Sequence, residues 1–326
     1  MKHSFTRRVA LTLGAALVAG AAAPAIAQNY PDKPVRLVVN FPPGGAADRI
    51  ARLVAQPLQD ALGQTIIVEN KGGANGNIGG DYVAKAASDG YTLLMSSGSM
   101  VSVNPHLYSS MSYDPLKDLT PVAAVAKVML YLVAREDKMP SDLEGFLKKI
   151  KDNPGKLSYA SPGNGSSPHL GMALLEQATG VRGIHVPYRG AGPALQDLLA
   201  GQVDYAFDPG VALPHVKAGK LNLIAVGSME RAAEFPNTPT LDELGVKGFE
   251  ADTVFGIYAP AGTPQEIVTK LNTEITKIVR SDNFKSQLAV MGGAPAPMTP
   301  DEFDQVAKRD SERFGAVIRA QNIKVD

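Results

Sequence analysis

The stretch VRLVVNFPPGGAADRIARLVAQPLQDALG, residues 35–63, decides the fold class. Residues 35–41 form a mostly apolar run, which is typical of a buried strand. Two prolines and two glycines follow and predict a tight turn. Apolar side chains over residues 47–62 then recur at helical spacing until Gly63 ends the helix. A strand, a glycine-rich turn and a helix in this order indicate an α/β protein.

The same alternation continues along the chain. Further strands are predicted at residues 65–69, 92–96, 128–134, 157–160, 184–186, 203–207, 221–226 and 255–259. Capping-box sequences predict helix starts at residues 141–144, 263–266 and 299–302. The pattern predicts parallel sheets with helices on both faces.

Two lobes are expected from the length of 326 residues, because a single hydrophobic core stops growing before about 300 residues. No low-complexity linker separates the halves, so strands that cross between the lobes should join them and form a hinge. We place the first lobe at residues 28–130 together with 253–326, and the second lobe at residues 131–252.

The N-terminus has the pattern of a cleaved export signal. Basic residues, among them Arg7 and Arg8, precede an apolar run over residues 9–23, and Ala25-Ile26-Ala27 has the small-x-small form of a cleavage site. The predicted signal peptide is therefore residues 1–27. Gln28 would begin a periplasmic protein without a lipid-bearing cysteine.

Composition excludes several classes of function. Lys plus Arg and Asp plus Glu each number 32, so the net charge is zero and no basic surface for nucleic acid is predicted. The chain has no cysteine, which excludes thiol catalysis and cysteine-based metal sites. Its five histidines form no i,i+4 pair, so no metal site is predicted, and we expect no cofactor.

Two polar loops lie between a predicted strand and a predicted helix, where α/β proteins bind ligands. The first, residues 41–48, contains glycines that allow close approach of a ligand to the backbone. The second, residues 158–169, is rich in neutral donors: Ser161, Asn164, Ser166 and Ser167. Neither binding segment carries lysine or arginine, which disfavours phosphate. Loops that face each other across a cleft would hold a carboxylate at two helix N-termini, although each is also compatible with a simple turn, capped by Asp48 in the first case.

Three further features leave alternatives open. Residues 72–80 lack the dinucleotide pattern GxGxxG and are interpreted as a backbone-packing loop. Asp208, at the tip of a predicted strand, would either accept a hydrogen bond from a solute or cap the next turn. Ser166 or Ser167 with His169 would suit a secreted serine hydrolase, but the GxSxG elbow is absent.

Short motifs form an ordered set along the chain: YPDKPVR (30–36), FPPGG (41–45), VENKG (68–72), GNIG (76–79), DGYTLL (89–94), SPGNGSSPH (161–169), HVPYRG (185–190), PTLDELG (239–245) and APAGTP (259–264). Over essentially the whole mature length, this set resembles the Bug-type solute receptors of tripartite tricarboxylate transporters. The resemblance implies a type II periplasmic-binding-protein fold, with two α/β lobes and a ligand cleft between them, and a receptor rather than an enzyme.

The resemblance also implies a ligand and partners. A monomeric receptor would capture a di- or tricarboxylate, an acidic amino acid or an aromatic acid by lobe closure, and deliver it to the two integral membrane subunits of the transporter. The implied solute contacts are Phe41, Gly44, Gly45, Ala46, Ser97, Ser161, Gly163, Asn164, Ser166, Ser167 and Asp208. A sensor receptor that presents its solute to a membrane kinase would use the same closed lobes.

Overall fold

The computed structural model describes residues 30–325, so the signal peptide predicted at residues 1–27 lies outside the described residues. Its strands are β1 (Val35–Val39), β2 (Ile66–Asn70), β3 (Thr92–Ser97), β4 (Leu119–Val128), β5 (Tyr131–Arg135), β6 (Ser158–Ser161), β7 (Ile184–Pro187), β8 (Tyr205–Asp208), β9 (Leu221–Val226), β10 (Thr253–Pro260) and β11 (Gly293–Met298). Its α-helices are α1 (Ala46–Leu62), α2 (Asn77–Ala84), α3 (Ser99–Ser102), α4 (Asn104–Leu107), α5 (Leu143–Asp152), α6 (Ser167–Thr179), α7 (Ala191–Ala200), α8 (Leu213–Lys217), α9 (Gln265–Arg280), α10 (Asp282–Val290) and α11 (Pro300–Ala320).

The strands form two separate sheets. The first has the order β11-β4-β10-β3-β1-β2, and the second has the order β7-β6-β8-β5-β9. We call each sheet with its attached helices the first and the second lobe. The two-lobed α/β architecture agrees with the predicted fold class, whereas the exact boundaries given above stay a prediction.

Both sheets are mixed, so the expectation of parallel sheets is wrong. β1 pairs in parallel with β2 and β3, but β10 runs antiparallel to both β3 and β4. In the second sheet β5 runs antiparallel to both β8 and β9. Parallel neighbours need a crossover connection within one sheet. β5 and β10 instead enter their sheets from the other lobe, and they therefore arrive from the opposite direction.

The strand predicted at residues 128–134 is in fact two strands. β4 ends at Val128 in the first sheet, and β5 begins at Tyr131 in the second. The chain returns to the first lobe after β9. Along this return the Gly227 amide donates to the Leu130 carbonyl at 2.7 Å, and the Ala251 amide donates to the Gly227 carbonyl at 2.8 Å. The two passages between the lobes are thus hydrogen-bonded side by side, as a hinge requires.

A separate apolar core holds each sheet to its helices. In the first lobe, side chains of β1 pack with those of α1 and α9; fully buried members are Leu37, Val39, Ile50, Val54, Leu271 and Ile275. In the second lobe, α5 and α6 pack on β5 and β8; members are Leu132, Phe146, Ile150, Leu175, Tyr205 and Phe207. Burial of each such side chain stabilises the fold by about 1.5–3 kcal/mol before entropy is counted.

Only one of the three predicted capping boxes forms. Thr299 Oγ1 accepts from the Glu302 amide at 3.2 Å, and the Glu302 carboxylate accepts from the Thr299 amide at 2.9 Å. At α5 the cap is Asp142, which accepts from Gly145 at 2.8 Å, rather than the residue before it. Thr263 donates to the Pro260 carbonyl and caps no helix. A side chain can only cap if the incoming chain places it beside the free amides.

Candidate functional site

The first loop connects β1 to α1 and is held by the carboxylate of Asp48. This side chain is buried, and its Oδ2 accepts from the Gly44 amide at 2.9 Å. Arg52 Nε donates to both carboxylate oxygens at 3.1 Å. Asn70 Nδ2 donates at 3.0 Å to Asp48 Oδ1 and at 3.0 Å to the Phe41 carbonyl. Asp48 therefore holds the turn through the Gly44 amide and Asn70, whereas the N-cap position of α1 is Gly45 and has no side-chain cap.

Asp48 stays charged at neutral pH. Burial by itself would raise the pKa of this carboxyl, but hydrogen bonds from Arg52, Gly44 and Asn70 outweigh burial and lower the pKa below its ordinary value. The ion pair with Arg52 Nη2, at 3.0 Å, offsets the negative charge at the start of α1. The positive end of the helix dipole at Gly45 therefore remains available to an anion.

The second loop connects β6 to α6 and is held by neutral groups. Fully buried Ser161 places its Oγ 2.7 Å from His185 Nε2 and accepts from the Gly163 amide at 3.2 Å. Ser166 Oγ donates to the Gly163 carbonyl at 2.7 Å. The Gly165 amide donates to His169 Nδ1 at 3.1 Å. Ser161, Gly163 and Ser166 are thus brought together by one connected set of hydrogen bonds.

His169 and His185 lie beneath this loop as a stacked pair. Their ring centroids are 3.9 Å apart and their planes differ by 7°. Burial, and after it the neighbouring His185, lowers the pKa of His169 to about 3. Burial lowers the pKa of His185 to about 4. Both imidazoles are therefore neutral at neutral pH.

The two lobes meet at the second loop. Asn75 Nδ2 donates to the Gly165 carbonyl at 3.2 Å and to Asn104 Oδ1 at 2.7 Å. Asn104 Nδ2 in turn donates to the Asn75 carbonyl at 3.0 Å. A Cβ atom on Gly165 would lie 2.1 Å from Leu107 Cδ1 in the first lobe. This part of the second loop is therefore in direct contact with the first lobe.

Sequence reasoning missed Asn75, because it treated residues 72–80 as a structural loop. Asn75 has a positive φ of 49°, a conformation that asparagine tolerates better than most residues. An asparagine within a glycine-rich run was the available signal. The partner, 90 positions away along the chain, could not be read from any local pattern.

The other proposed contact residues occupy varied positions. Ser97 is buried at the end of β3, with its Oγ 2.6 Å from Ser99 Oγ. Asn164 is exposed, and Ser167 is half-buried in the first turn of α6. Phe41 and Ala46 are half-buried against the apolar core of the first lobe. Their contacts with a solute stay a prediction.

Asp208 caps the turn that follows β8. Its Oδ1 accepts from the Gly210 and Ala212 amides, each at 2.8 Å. Burial raises the pKa of this carboxyl to about 6, against backbone hydrogen bonds from Ala212, Gly210 and Val211 that lower it. Of the two roles considered for Asp208, the structure shows the cap, and solute binding stays a prediction.

The geometry gives the hydrolase alternative no nucleophile–base pair at the residues considered for it. His169 Nδ1 is occupied by the Gly165 amide, and Ser166 Oγ donates to the Gly163 carbonyl. The Ser–His contact in this region joins Ser161 and His185, and both side chains support the loop. Among residues 30–325, no cluster of three or more His, Asp or Glu side chains could hold a metal ion.

No helix within residues 30–325 combines the length and the hydropathy needed to cross a membrane.

Comparison with known proteins identifies a clear set of relatives. The model of the tripartite tricarboxylate transporter family receptor, TctC, matches residues 50–323. The chain is 39% identical to the protein BugT of Bordetella pertussis over 310 residues, which cover 94% of this chain and 95% of BugT.

Solved structures show the same likeness. A structure of Rpa4515 from R. palustris with adipate superposes with a TM-score of 0.86 at 33% identity, and covers 91% of this chain and 100% of that one. MatC from Rhodopseudomonas palustris with bound malate superposes with a TM-score of 0.81 at 34% identity, and covers 89% of this chain and 100% of that one.

Proposed function

The chain belongs to the tripartite tricarboxylate transporter receptor family, and from this premise we propose that it captures a small carboxylate in the cleft between its two lobes. Two relatives with solved structures hold dicarboxylates, adipate in one case and malate in the other. The family is one of solute receptors, which agrees with the absence of a nucleophile–base pair at Ser166, Ser167 and His169.

One observation carries the proposal. The loop of each lobe leads into a helix whose N-cap residue, Gly45 in α1 and Ser166 in α6, makes no side-chain capping hydrogen bond. The first-turn amides of both helices therefore keep donors for an anion. Neither residues 41–47 nor residues 161–167 carry a lysine or arginine, so neutral donors would bind the carboxylate.

Lobe closure follows from the placement of these donors. A solute that touches both loops makes its full set of contacts only when the lobes approach, and it therefore shifts the equilibrium toward the closed form. The paired passages at Leu130, Gly227 and Ala251 supply the hinge. We place the lobes at residues 28–130 with 253–326 and at residues 131–252.

The partner and location belong to the same proposal. A monomeric receptor would be exported to the periplasm by residues 1–27 and would deliver its solute, in the closed form, to the two integral membrane subunits of a tripartite transporter. Family membership supports this assignment. Among the candidate solutes, adipate and malate have priority because related receptors hold them.

The test is thermal unfolding of mature protein, beginning at Gln28, against millimolar carboxylates. The panel contains adipate, malate, succinate, citrate, glutamate, aspartate, benzoate, nicotinate and terephthalate. A solute at 100 times its Kd stabilises the fold by about 2.7 kcal/mol, which raises the Tm by several degrees. The matched control for adipate is 1,6-hexanediol, which has the same carbon chain without carboxylates.

We expect one chemical class to raise the Tm and the diol to leave it unchanged. Isothermal titration with the best member then gives Kd, and small-angle scattering should show a smaller radius of gyration in its presence. The proposal is wrong if protein freed of co-purified solute by unfolding and refolding responds to no carboxylate, or responds equally to the diol.

A further inference from the structure

We propose that the stacked pair of His169 and His185 positions the second loop, and that both rings must be neutral for this loop to keep the conformation that binds solute. The inference rests on the proposed carboxylate function of the loop and extends it to two side chains beneath it. In this role the histidines are positioning residues, because they act on the solute through Ser161 and Gly165.

His169 fixes one end of the loop. Its Nδ1 accepts from the Gly165 amide at 3.1 Å, so this nitrogen carries no proton. The carbonyl of Gly165 accepts from Asn75 of the first lobe at 3.2 Å. The same residue is therefore held from below by His169 and across the lobe contact by Asn75. A proton on Nδ1 would place two donors face to face and break the lower bond.

His185 fixes the other end. Its Nε2 lies 2.7 Å from Ser161 Oγ, which also bonds the Gly163 amide at 3.2 Å. Ser161 Oγ lies 3.1 Å from the Gly163 carbonyl as well. An Nε2–H donated to Ser161 would direct the serine proton toward Gly163, and the imidazole thereby sets which way this hydroxyl points.

The stack couples the two contacts. With ring centroids 3.9 Å apart, a charge on one imidazole opposes a charge on the other, and burial opposes both. Tyr159 on β6 stacks on His185 at 4.9 Å, and Tyr205 on β8 stacks on Tyr159 at 5.8 Å. These titratable neighbours are neutral and do not offset an imidazolium.

Glu176 on α6 is an acidic group whose charge influences the two tyrosines of the stack, Tyr159 and Tyr205. Its Oε1 already accepts from the Gly183 amide at 2.9 Å, and its Oε2 lies 3.9 Å from Arg182. The carboxylate is thus engaged away from the histidines. Protonation of His169 would consequently break the bond from the Gly165 amide, and protonation of His185 would bury a charge that Glu176 does not offset.

The first experiment needs no solute. Amide hydrogen exchange of residues 161–167 is measured in ligand-free mature protein and in two variants that keep the aromatic stack, His169→Phe and His185→Phe. We expect protection of the Gly165 amide to fall about tenfold in His169→Phe. His169→Asn places an acceptor near the position of Nδ1 and should restore much of the protection. The matched control is His215→Phe, the same change at a half-buried histidine on α8.

The second experiment follows the ring nitrogens by 15N NMR of histidine-labelled protein between pH 7 and pH 4. We expect both rings of the pair to stay neutral to below pH 5, with Nδ1 of His169 unprotonated. The Kd of the variants is then measured with adipate or malate, whichever raises the Tm. We expect the Kd to rise about tenfold in His169→Phe and much less in His169→Asn.

The outcomes separate this inference from the proposed function. Unchanged protection of Gly165 in His169→Phe, or an imidazole that is protonated at pH 7, would overturn the inference even if adipate binds. Lost protection together with an unchanged Kd would show that the pair shapes the loop without serving binding, which also overturns it. Failure of every carboxylate in the panel would instead remove the proposed function, while the exchange result still reports on the positioning of the loop.

Discussion

The loop after β1 is held by a charged carboxylate, Asp48, whereas the loop after β6 is held by two neutral imidazoles, His169 and His185. Both solutions leave an uncapped helix N-terminus at the loop. The charge of Asp48 is compensated by Arg52, whereas the loop of the second lobe, residues 161–167, contains no Asp, Glu, Lys or Arg. A helix N-terminus can thus be left free for an anion without a lysine or arginine in the preceding loop, provided that hydrogen bonds from neighbouring side chains hold the loop in place.

The largest expected effect comes from removal of the charged anchor. Asp48→Ala leaves the Gly44 amide, Arg52 and Asn70 without their shared acceptor. Charge-assisted hydrogen bonds contribute about 1.5–3 kcal/mol each, so we expect the free energy of unfolding in urea to fall by about 3 kcal/mol. The control is Asp60→Ala, on the exposed face of the same helix, where the loss should stay within about 0.5 kcal/mol. Equal losses of stability in Asp48→Ala and Asp60→Ala would contradict the role of Asp48 as an anchor of the loop.

The next effect compares one glycine from each loop. Gly165 has a φ of +74° and faces Leu107, whereas Gly45 has a φ of −72° and a Cβ there would lie 3.4 Å from the Pro42 carbonyl. We expect Gly165→Ala to cost about 2 kcal/mol in urea unfolding and Gly45→Ala less than about 0.5 kcal/mol. Gly165→Ala should also weaken binding of the solute found in the panel, because it pushes the lobes apart. A tolerated Gly165→Ala would mean that this lobe contact is not part of the closed form.

The two loop anchors, Asp48 and the pair of His169 and His185, should lose their contributions to stability in different ranges of pH. The unfolded chain protonates its histidines near pH 6.5, while the native pair resists protonation until about pH 4 or below. Between these values the unfolded state binds more protons, so stability falls as pH falls, by up to about 1.4 kcal/mol per pH unit for each histidine. The depressed pKa of Asp48 has the same sign, but its stabilisation is lost only below about pH 4.

Asp208 opposes the histidines in part of this range. Its pKa is raised to about 6, so it favours the native state below the unfolded value near pH 4, and this contribution is lost as pH rises through 6. The informative quantity is therefore the difference in the pH dependence of stability between the native chain and a variant that lacks both histidines. Urea unfolding of the double variant His169→Asn/His185→Gln should show a flatter pH dependence of the unfolding free energy than the native chain between pH 6.5 and about pH 3, with the same dependence below pH 3. Parallel curves would contradict the assignment of this window to the pair.

The smallest expected effect is the loss of one neutral donor. Ser161→Ala removes the hydroxyl that bonds His185 and Gly163, and we expect the affinity for the solute to fall by about 1 kcal/mol, roughly fivefold, with the fold intact. Ser158→Ala, at the other end of β6, is the matched control and should leave Kd unchanged. Unchanged affinity in Ser161→Ala would exclude this hydroxyl from the binding site.

Sequence patterns correctly predicted the strands, helices and caps whose formation is determined by residues close together in the chain. β9 covers residues 221–226 as expected, α1 begins one residue before the predicted start, and the cap at Thr299 forms. β11 was missed because its sequence, GAPAPM, contains two prolines and has a low propensity for strands. It forms at the edge of the first sheet, where β4 supplies a pairing partner.

The sequence by itself determined the α/β class, the order of most strands and helices, the two polar loops and the family, because these follow from side-chain periodicity, turn residues and short motifs. Only the tertiary structure decided where the run over residues 128–134 divides between two sheets, that Asn75 contacts Gly165, and that His169 stacks on His185. The physical reason is distance along the chain. Local patterns encode the conformation of a few consecutive residues, whereas these contacts join residues from separate elements, and they form only when two independently folded cores place those elements side by side.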